Sequence, residues 1–216
     1  MYLLLKVLPL LEIEAKIDFK NLKKLVQEMS KQYNVKVGLL AEEGGSEPIT
    51  ENLDMAGLGA VQEFGAEIDH PGGTPYFINE YGMATFVKKD SFYGQLLVKR
   101  GQVTKPHHIS IPARPWLSMP LSRNGGKDVL KLFDEQIKKY GVSKNDFIEY
   151  VTTKGDFVTL GTALGAAAVA QIQEAFATQG FDEWEPNAPQ TIAKKGSADP
   201  LIDTGRLRYA VKFRVE

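Results

Sequence analysis

Between residues 156 and 179 the chain carries an apolar stripe at helical spacing, Phe157, Leu160, Leu164, Ala168, Ile172 and Phe176, which must be shielded from water. The middle of this stretch, 161–170, is almost entirely small residues, so a neighbouring element can approach the helix backbone closely. Gly180 ends it. The end of the sequence has a different period. From Leu207 onward apolar residues alternate as Leu207, Tyr209, Val211, Phe213 and Val215, separated by Arg208, Ala210, Lys212 and Arg214. That spacing predicts a strand with one buried and one wet face. Long helical stripes together with short alternating runs predict an α+β fold, a mixed, mainly antiparallel sheet packed by helices.

Other elements fill in the order. Leu11, Ile13, Ala15 and Ile17 alternate with Glu12, Glu14, Lys16 and Asp18 as a first strand, and Asp18 then caps a helix striped by Phe19, Leu22, Leu25, Val26 and Met29. Val35, Val37 and Leu39 read as a second strand, ended by the flexible loop 42–46. Asp54 is an N-cap for a helix over 55–64 with Met55, Leu58, Val61 and Phe64 on its apolar side. Gly57, Gly59 and Ala60 permit close packing there, and Gly65 supplies the left-handed stop. The run 127–140 places Val129, Leu130, Phe133 and Ile137 on one face, and Gly141 stops it. Ser143 with Asp146 resembles a capping box for a short helix through Val151.

Residues 66–111 differ in texture and predict a β-rich insertion or arm within a single domain of 1–216. Asp69-His70-Pro71-Gly72-Gly73 reads as a loop. The runs 76–78 and 85–87 flank a hairpin turning near Gly82, and Leu96-Leu97-Val98 forms a further β-run leading into the polar 99–108. In Ile111-Pro112-Ala113-Arg114-Pro115-Trp116-Leu117 the two prolines forbid helix and leave an extended stretch that docks Trp116 and Leu117.

Composition excludes several chemistries. With no cysteine there is no disulfide, zinc–cysteine site, iron–sulfur cluster or thiol catalysis, in agreement with a reducing compartment. Apolar and charged fractions of 43% and 25% fit a soluble globular chain, and a net charge of −1 carries no polyanion-binding signal. The first residues do not read as a secretory signal, because Lys6 and Pro9 interrupt the apolar run and Glu12 and Glu14 follow it. No stretch approaches the roughly 20 apolar residues of a membrane span.

Asp203-Thr204-Gly205, preceded by Leu201-Ile202, matches the catalytic tripeptide of aspartic proteases. That chemistry needs two carboxylates sharing one proton, and it needs chain after the tripeptide to build a cleft. Only 11 residues follow Gly205, and Arg206-Leu207-Arg208 is unlike that family's continuation. The alternative is a turn in which Asp203 and Thr204 hydrogen-bond local backbone and Gly205 supplies an unusual φ. His107 and His108 are adjacent, so on a strand they face opposite ways; with His70 they read as solvated loop histidines, and no zinc spacing is present. The glycine pairs at 44–45 and 57–59 lack the rest of a phosphate loop, and Gly161 with Gly165 reads as a packing face. Lys194, Lys195, Arg206, Arg208, Lys212 and Arg214 oppose Asp199, Asp203 and Glu216, giving residues 186–216 a net charge of +3. Such a face suits acidic neighbours or a phosphate backbone, so a DNA-binding module is a further alternative, as is the solvated side of an edge strand. No catalytic residue, cofactor or metal ligand is assigned from the residues.

The order of four motifs says more than any one of them. Val61-Gln62-Glu63-Phe64-Gly65 is followed by Ile111-Pro112-Ala113-Arg114-Pro115-Trp116-Leu117. Then comes the stretch from Trp184-Glu185-Pro186 to Ala193-Lys194-Lys195-Gly196, and finally Pro200-Leu201-Ile202-Asp203-Thr204-Gly205-Arg206-Leu207. This series resembles the tailed-bacteriophage virion morphogenesis and tail-completion proteins, minor tail and neck components that include the lambda Z-like proteins. The resemblance covers about residues 35–215; residues 1–32 and the insertion 76–105 are less typical of the family. It implies a non-enzymatic structural subunit of the virion, assembled in the host cytoplasm, that forms or joins a ring at the head–tail junction and makes the tail competent for joining; the alternative within the class is a tail terminator or other minor tail protein. Its partners would be copies of itself and neighbouring neck, connector or tail proteins, with genomic DNA passing through the lumen. By the same resemblance Arg114, Pro115, Trp116, Asp203, Thr204, Gly205 and Arg206 are structural or interfacial. Tyr76, Phe77, Phe86 and Tyr93 would belong to an arm that contacts a neighbouring subunit, where added strands can extend a sheet edge.

Overall fold

The computed structural model describes residues 2–5, 34–51, 53–142 and 157–216. The strand expected at 11–17, the helix at 19–29 with its Asp18 cap, and the capping box of Ser143 and Asp146 lie outside these residues. The chain divides into two compact units, one of Met1–Phe64 with Pro112–Glu216 and one of Gly65–Ile111. The fold is α+β, and every described strand pair is antiparallel.

The larger unit is built on a three-stranded sheet in which β2 (Val35–Leu39) lies between β1 (Tyr2–Leu5) and the terminal β9 (Val211–Val215). The register sets Val35 against Val215 and Leu39 against Val211. A short hairpin, β3 (Pro48–Thr50) with β4 (Leu53–Asp54), leads into α1 (Met55–Phe64). Asp54 caps α1 as expected: its Oδ1 accepts the Gly57 N–H at 2.7 Å. Later in the chain come α3 (Ser118–Ser122), α4 (Lys127–Lys139) and α5 (Phe157–Ala177). The stripe Leu160, Leu164, Ala168, Ile172 and Phe176 of α5 is buried, and α4 packs against α5 through Val129, Phe133 and Ile137.

The glycines of α5 are where the sheet comes closest. A Cβ on Gly161 would stand 2.8 Å from Val215 Cγ1, and one on Gly165 would overlap the Phe213 ring. The small-residue middle of α5 therefore receives the side chains of β9 directly.

Two expectations in this unit are corrected. The strand predicted from Leu207 begins at Val211; Arg206–Tyr209 forms a helical turn, α7. Tyr209 and Ala210 donate to the carbonyls of Gly205 and Arg206, both at 3.0 Å, so Leu207 is 5% exposed while Tyr209, its expected facemate, is 71% exposed. The buried face of α1 is also rotated. Met55, Gly59 and Glu63 point inward, and Phe64 lies in solvent. Gly59 makes this possible, because a Cβ there would meet Leu39 and stand 3.1 Å from Trp116 Cζ2.

In the Gly65–Ile111 unit, β5 (Ala66–His70) pairs with β8 (His107–Ile111), and β6 (Tyr76–Ile78) with β7 (Ala84–Phe86). The second pair is the expected hairpin, with Gly82 at φ 73° in its turn. Asp69 and His70 belong to β5 rather than to a loop. The run Leu96-Leu97-Val98 is helical, part of α2 (Phe92–Lys99). Ser91 decides this: its Oγ accepts the Gly94 N–H at 3.0 Å, an N-cap that outweighs the β-propensity of three apolar residues.

Candidate functional site

The four motifs, far apart in sequence, meet within the larger unit. The two prolines keep 112–115 extended, and the Arg114 N–H donates to the Gln62 carbonyl at 2.7 Å, joining this stretch to the end of α1. The Arg114 side chain turns the other way. Nε donates to the Glu185 carbonyl at 2.7 Å and Nη2 to the Pro186 carbonyl at 3.1 Å. A planar fork suits two consecutive carbonyls as no ammonium can. Arg114 is 7% exposed, and burial pushes its pKa down against the opposing charge of Glu185.

Trp116 is fully buried, and its Nε1 donates to the Gly59 carbonyl at 2.8 Å. Its ring lies 6.2 Å from that of Phe176, which in turn meets Trp184 edge-on at 5.7 Å. Beside it is a residue that the sequence placed in a motif but gave no role of its own. Glu63 is buried, and its carboxylate accepts the Leu117 N–H at 2.8 Å, the Ser118 N–H at 3.0 Å and the Ser118 hydroxyl at 2.5 Å. The N-cap position of α3, Leu117, has no side chain able to cap, so a carboxylate from α1 does the work of one. No local signal marks Glu63; its partner lies more than fifty residues away.

The segment that brings Trp184 and the two carbonyls into place is unusual. Gln179, Gly180, Phe181 and Asp182 follow α5 with φ of 52°, 70°, 55° and 65°. Three consecutive bonds hold this left-handed turn: Asp182 N–H to the Thr178 carbonyl at 2.9 Å, Glu183 N–H to Gly180 at 3.1 Å and Trp184 N–H to Gln179 at 3.1 Å. The Arg123 guanidinium sits 4.1 Å from the centre of the Phe181 ring. Non-glycine residues persist in this region only where their surroundings fix them. Here Trp184 lies against Gly180 and Arg123 over Phe181, and the Arg114 fork holds the chain just beyond, at Glu185 and Pro186.

Beyond it, α6 (Pro189–Lys195) opens with proline at its first position and closes on Gly196 at φ 74°. Lys195 donates to the Asp199 carbonyl; burial pushes its pKa down, opposed by Asp203 and Asp199. In the tripeptide, Asp203 and Thr204 are exposed, and the expected side-chain hydrogen bonds to local backbone are not among those the described residues make. The turn is set by backbone conformation, with Leu201 at φ 60° and Gly205 at φ 78°. An exposed Asp203 near a lysine does not resemble a dyad of carboxylates sharing a proton. Arg206 bonds Glu47 at 2.7 Å and the Pro48 carbonyl at 3.3 Å. Arg208 and Gln173 exchange two bonds, and Arg214 pairs with Glu42 and Glu43. The acidic neighbours of the basic terminal stretch are thus, in large part, the chain's own.

Of the four expected arm residues, Phe77 and Tyr93 pack edge-on with each other at 5.8 Å, joining the hairpin to α2. Tyr76 and Phe86 are register partners on the opposite face of the hairpin, rings 6.4 Å apart, with Ile78 and Ala84 alongside. Phe86 is 61% exposed, and Tyr81 in the turn is exposed as well. The histidines lie in strands β5 and β8 rather than in loops, with His107 and His108 exposed as expected. Among the described residues no group of three or more His, Cys, Asp or Glu is placed to hold a metal ion, and no helix is long and apolar enough to cross a membrane.

Comparison of the chain with protein-family models, curated proteins and solved structures found no match. The meeting point of the motifs is a buried interlock in which an arginine and a carboxylate both bond backbone; its chemistry is that of a fastener.

Proposed function

We propose that the chain is a structural virion protein of a tailed phage or prophage, a tail-completion or neck component that acts as a ring subunit at the head–tail junction. The observation that carries this reading is the convergence of the four motif stretches. Arg114 bonds Gln62, Glu185 and Pro186 directly, Glu63 accepts from the Leu117 N–H, and Trp116 and Leu207 are buried in the same core. Residues that define the resemblance are thus spent on holding a shape, as a scaffold subunit requires. The hairpin adds support, since its outward face of Tyr76, Ile78, Ala84 and Phe86 leaves apolar surface for a neighbouring subunit. A head-to-tail contact of that kind generates a ring when its rotation closes.

The test is assembly. Mass photometry and negative-stain microscopy of the purified chain, alone and with neck partners, should show a closed oligomer. Loss of the gene should leave heads and tails unjoined. A monodisperse monomer that is also absent from purified particles would refute the proposal.

A further inference from the structure

All three histidines of the chain fall on the strand pair at the root of the Gly65–Ile111 unit. The chain runs out along β5 and back along β8, so residues 71–106, including the hairpin and α2, are strung between these two strands. At the end of the ladder that leads into residues 71–106, His70 and His107 are register partners with stacked rings, centroids 4.9 Å apart. His70 Nδ1 accepts the Gly72 N–H at 3.0 Å, and His107 Nδ1 donates to the Lys105 carbonyl at 2.8 Å.

His108 is different. Its Nδ1 lies 2.8 Å from Asp69 Oδ1 and its Nε2 2.6 Å from Glu67 Oε2. Neutral imidazole carries a single N–H and can donate to one carboxylate only; donating to both requires the imidazolium. Ser110 reinforces the arrangement by donating to the other Glu67 oxygen at 2.7 Å. Glu67 and Asp69, both on β5, are the titratable groups that face His108.

We propose that His108 is a proton-operated fastener of this ladder, tying β8 to β5 through Glu67 and Asp69 when protonated and releasing one of them when it loses its proton. Hydrogen bonds from Asp69 and then Glu67 hold the His108 pKa above its ordinary value. Those from Ser110 and then His108 hold Glu67 below its own. A raised histidine contributes stability that is complete below its ordinary value and is lost as pH rises through the raised one. A lowered carboxylate contributes stability present above its ordinary value and lost as pH falls through the lowered one. The fastening is therefore strongest in the acidic range between the two titrations and loosens toward alkaline pH, where the base of the hairpin-bearing segment is freer to open.

Hydrogen exchange on the full chain, corrected for intrinsic rates, together with NMR titration of the ring protons, tests this. The His108 midpoint should lie above about 6.5, and amides in 66–70 and 107–111 should lose roughly two- to fivefold protection across it, the scale of an exposed charge pair. His108→Gln should abolish that pH dependence. Glu67→Gln combined with Asp69→Asn should bring the midpoint back toward about 6.5, which decides the matter even where the first variant folds poorly. A midpoint at or below about 6.5 in the unaltered chain, or the same pH-dependent loss of protection in His108→Gln, would overturn the proposal.

Discussion

The larger unit and the Gly65–Ile111 unit both pair their strands antiparallel, yet they bury their apolar side chains to different extents. In the first, Trp116, Ile172, Phe176 and Val37 are shut away from water, and the buried Arg114 and Glu63 side chains bond backbone groups there. In the second, Leu97 and Pro75 are buried while Ile78, Tyr81, Phe86 and Phe92 stand in solvent. One unit owes its stability to a core and the other to ladders, turns and a capped helix. Apolar surface left outside in this way is available for recognition. If the chain is the ring subunit proposed above, substitutions in the larger unit should act on folding, and those on the hairpin on association.

The most damaging change should be Trp116→Ala, which opens a cavity and orphans the Gly59 carbonyl; about 3–5 kcal/mol of stability should be lost in denaturant titration. Glu63→Ala should follow, at about 2–3 kcal/mol, because two N–H groups and a hydroxyl lose their acceptor. Arg114→Lys keeps the charge but not the fork, and a loss of about 2 kcal/mol is expected by the same measurement. Gly205→Val should cost about 1–2 kcal/mol from its left-handed backbone alone; its new side chain would also crowd the Tyr209 ring. Asp203→Asn should stay within about 0.5 kcal/mol, the reverse of the ranking catalysis would produce. Smallest in stability is Phe86→Ala, also within about 0.5 kcal/mol, though it should reduce oligomer formation by mass photometry. If Phe86→Ala destabilised the chain as much as Trp116→Ala, the contrast between the units would collapse.

Much of this fold can be read from local pattern. The caps at Asp54 and Gly65, the stripes of α4 and α5, the hairpin around Gly82 and the strand at 35–39 all follow from signals a few residues long. What escaped such reading depends on partners distant in sequence. Leu207 and Tyr209 fit a strand's alternation until Gly205 turns the chain helically before β9. Glu63 looks like an ordinary helix-end glutamate until Leu117 and Ser118 arrive beside it. His108 acquires its two carboxylates only through the β5–β8 register. Of the site residues, Trp116 was legible as a docked side chain from the flanking prolines and its size, and Arg114 only through the resemblance; the groups they bond were not.

The central position of β2 has a further consequence, for the order of folding. Its pairing of Val35 with Val215 joins residues separated by most of the chain, so the loop closed by that contact is among the longest available. Helices α4 and α5 can form and pack from neighbouring sequence, whereas the sheet beneath α5 must wait for β9. Sheet closure is thus expected to be the slow step in refolding, and truncation before Val211 should yield helical but incompletely packed protein whose exposed β2 edge invites aggregation.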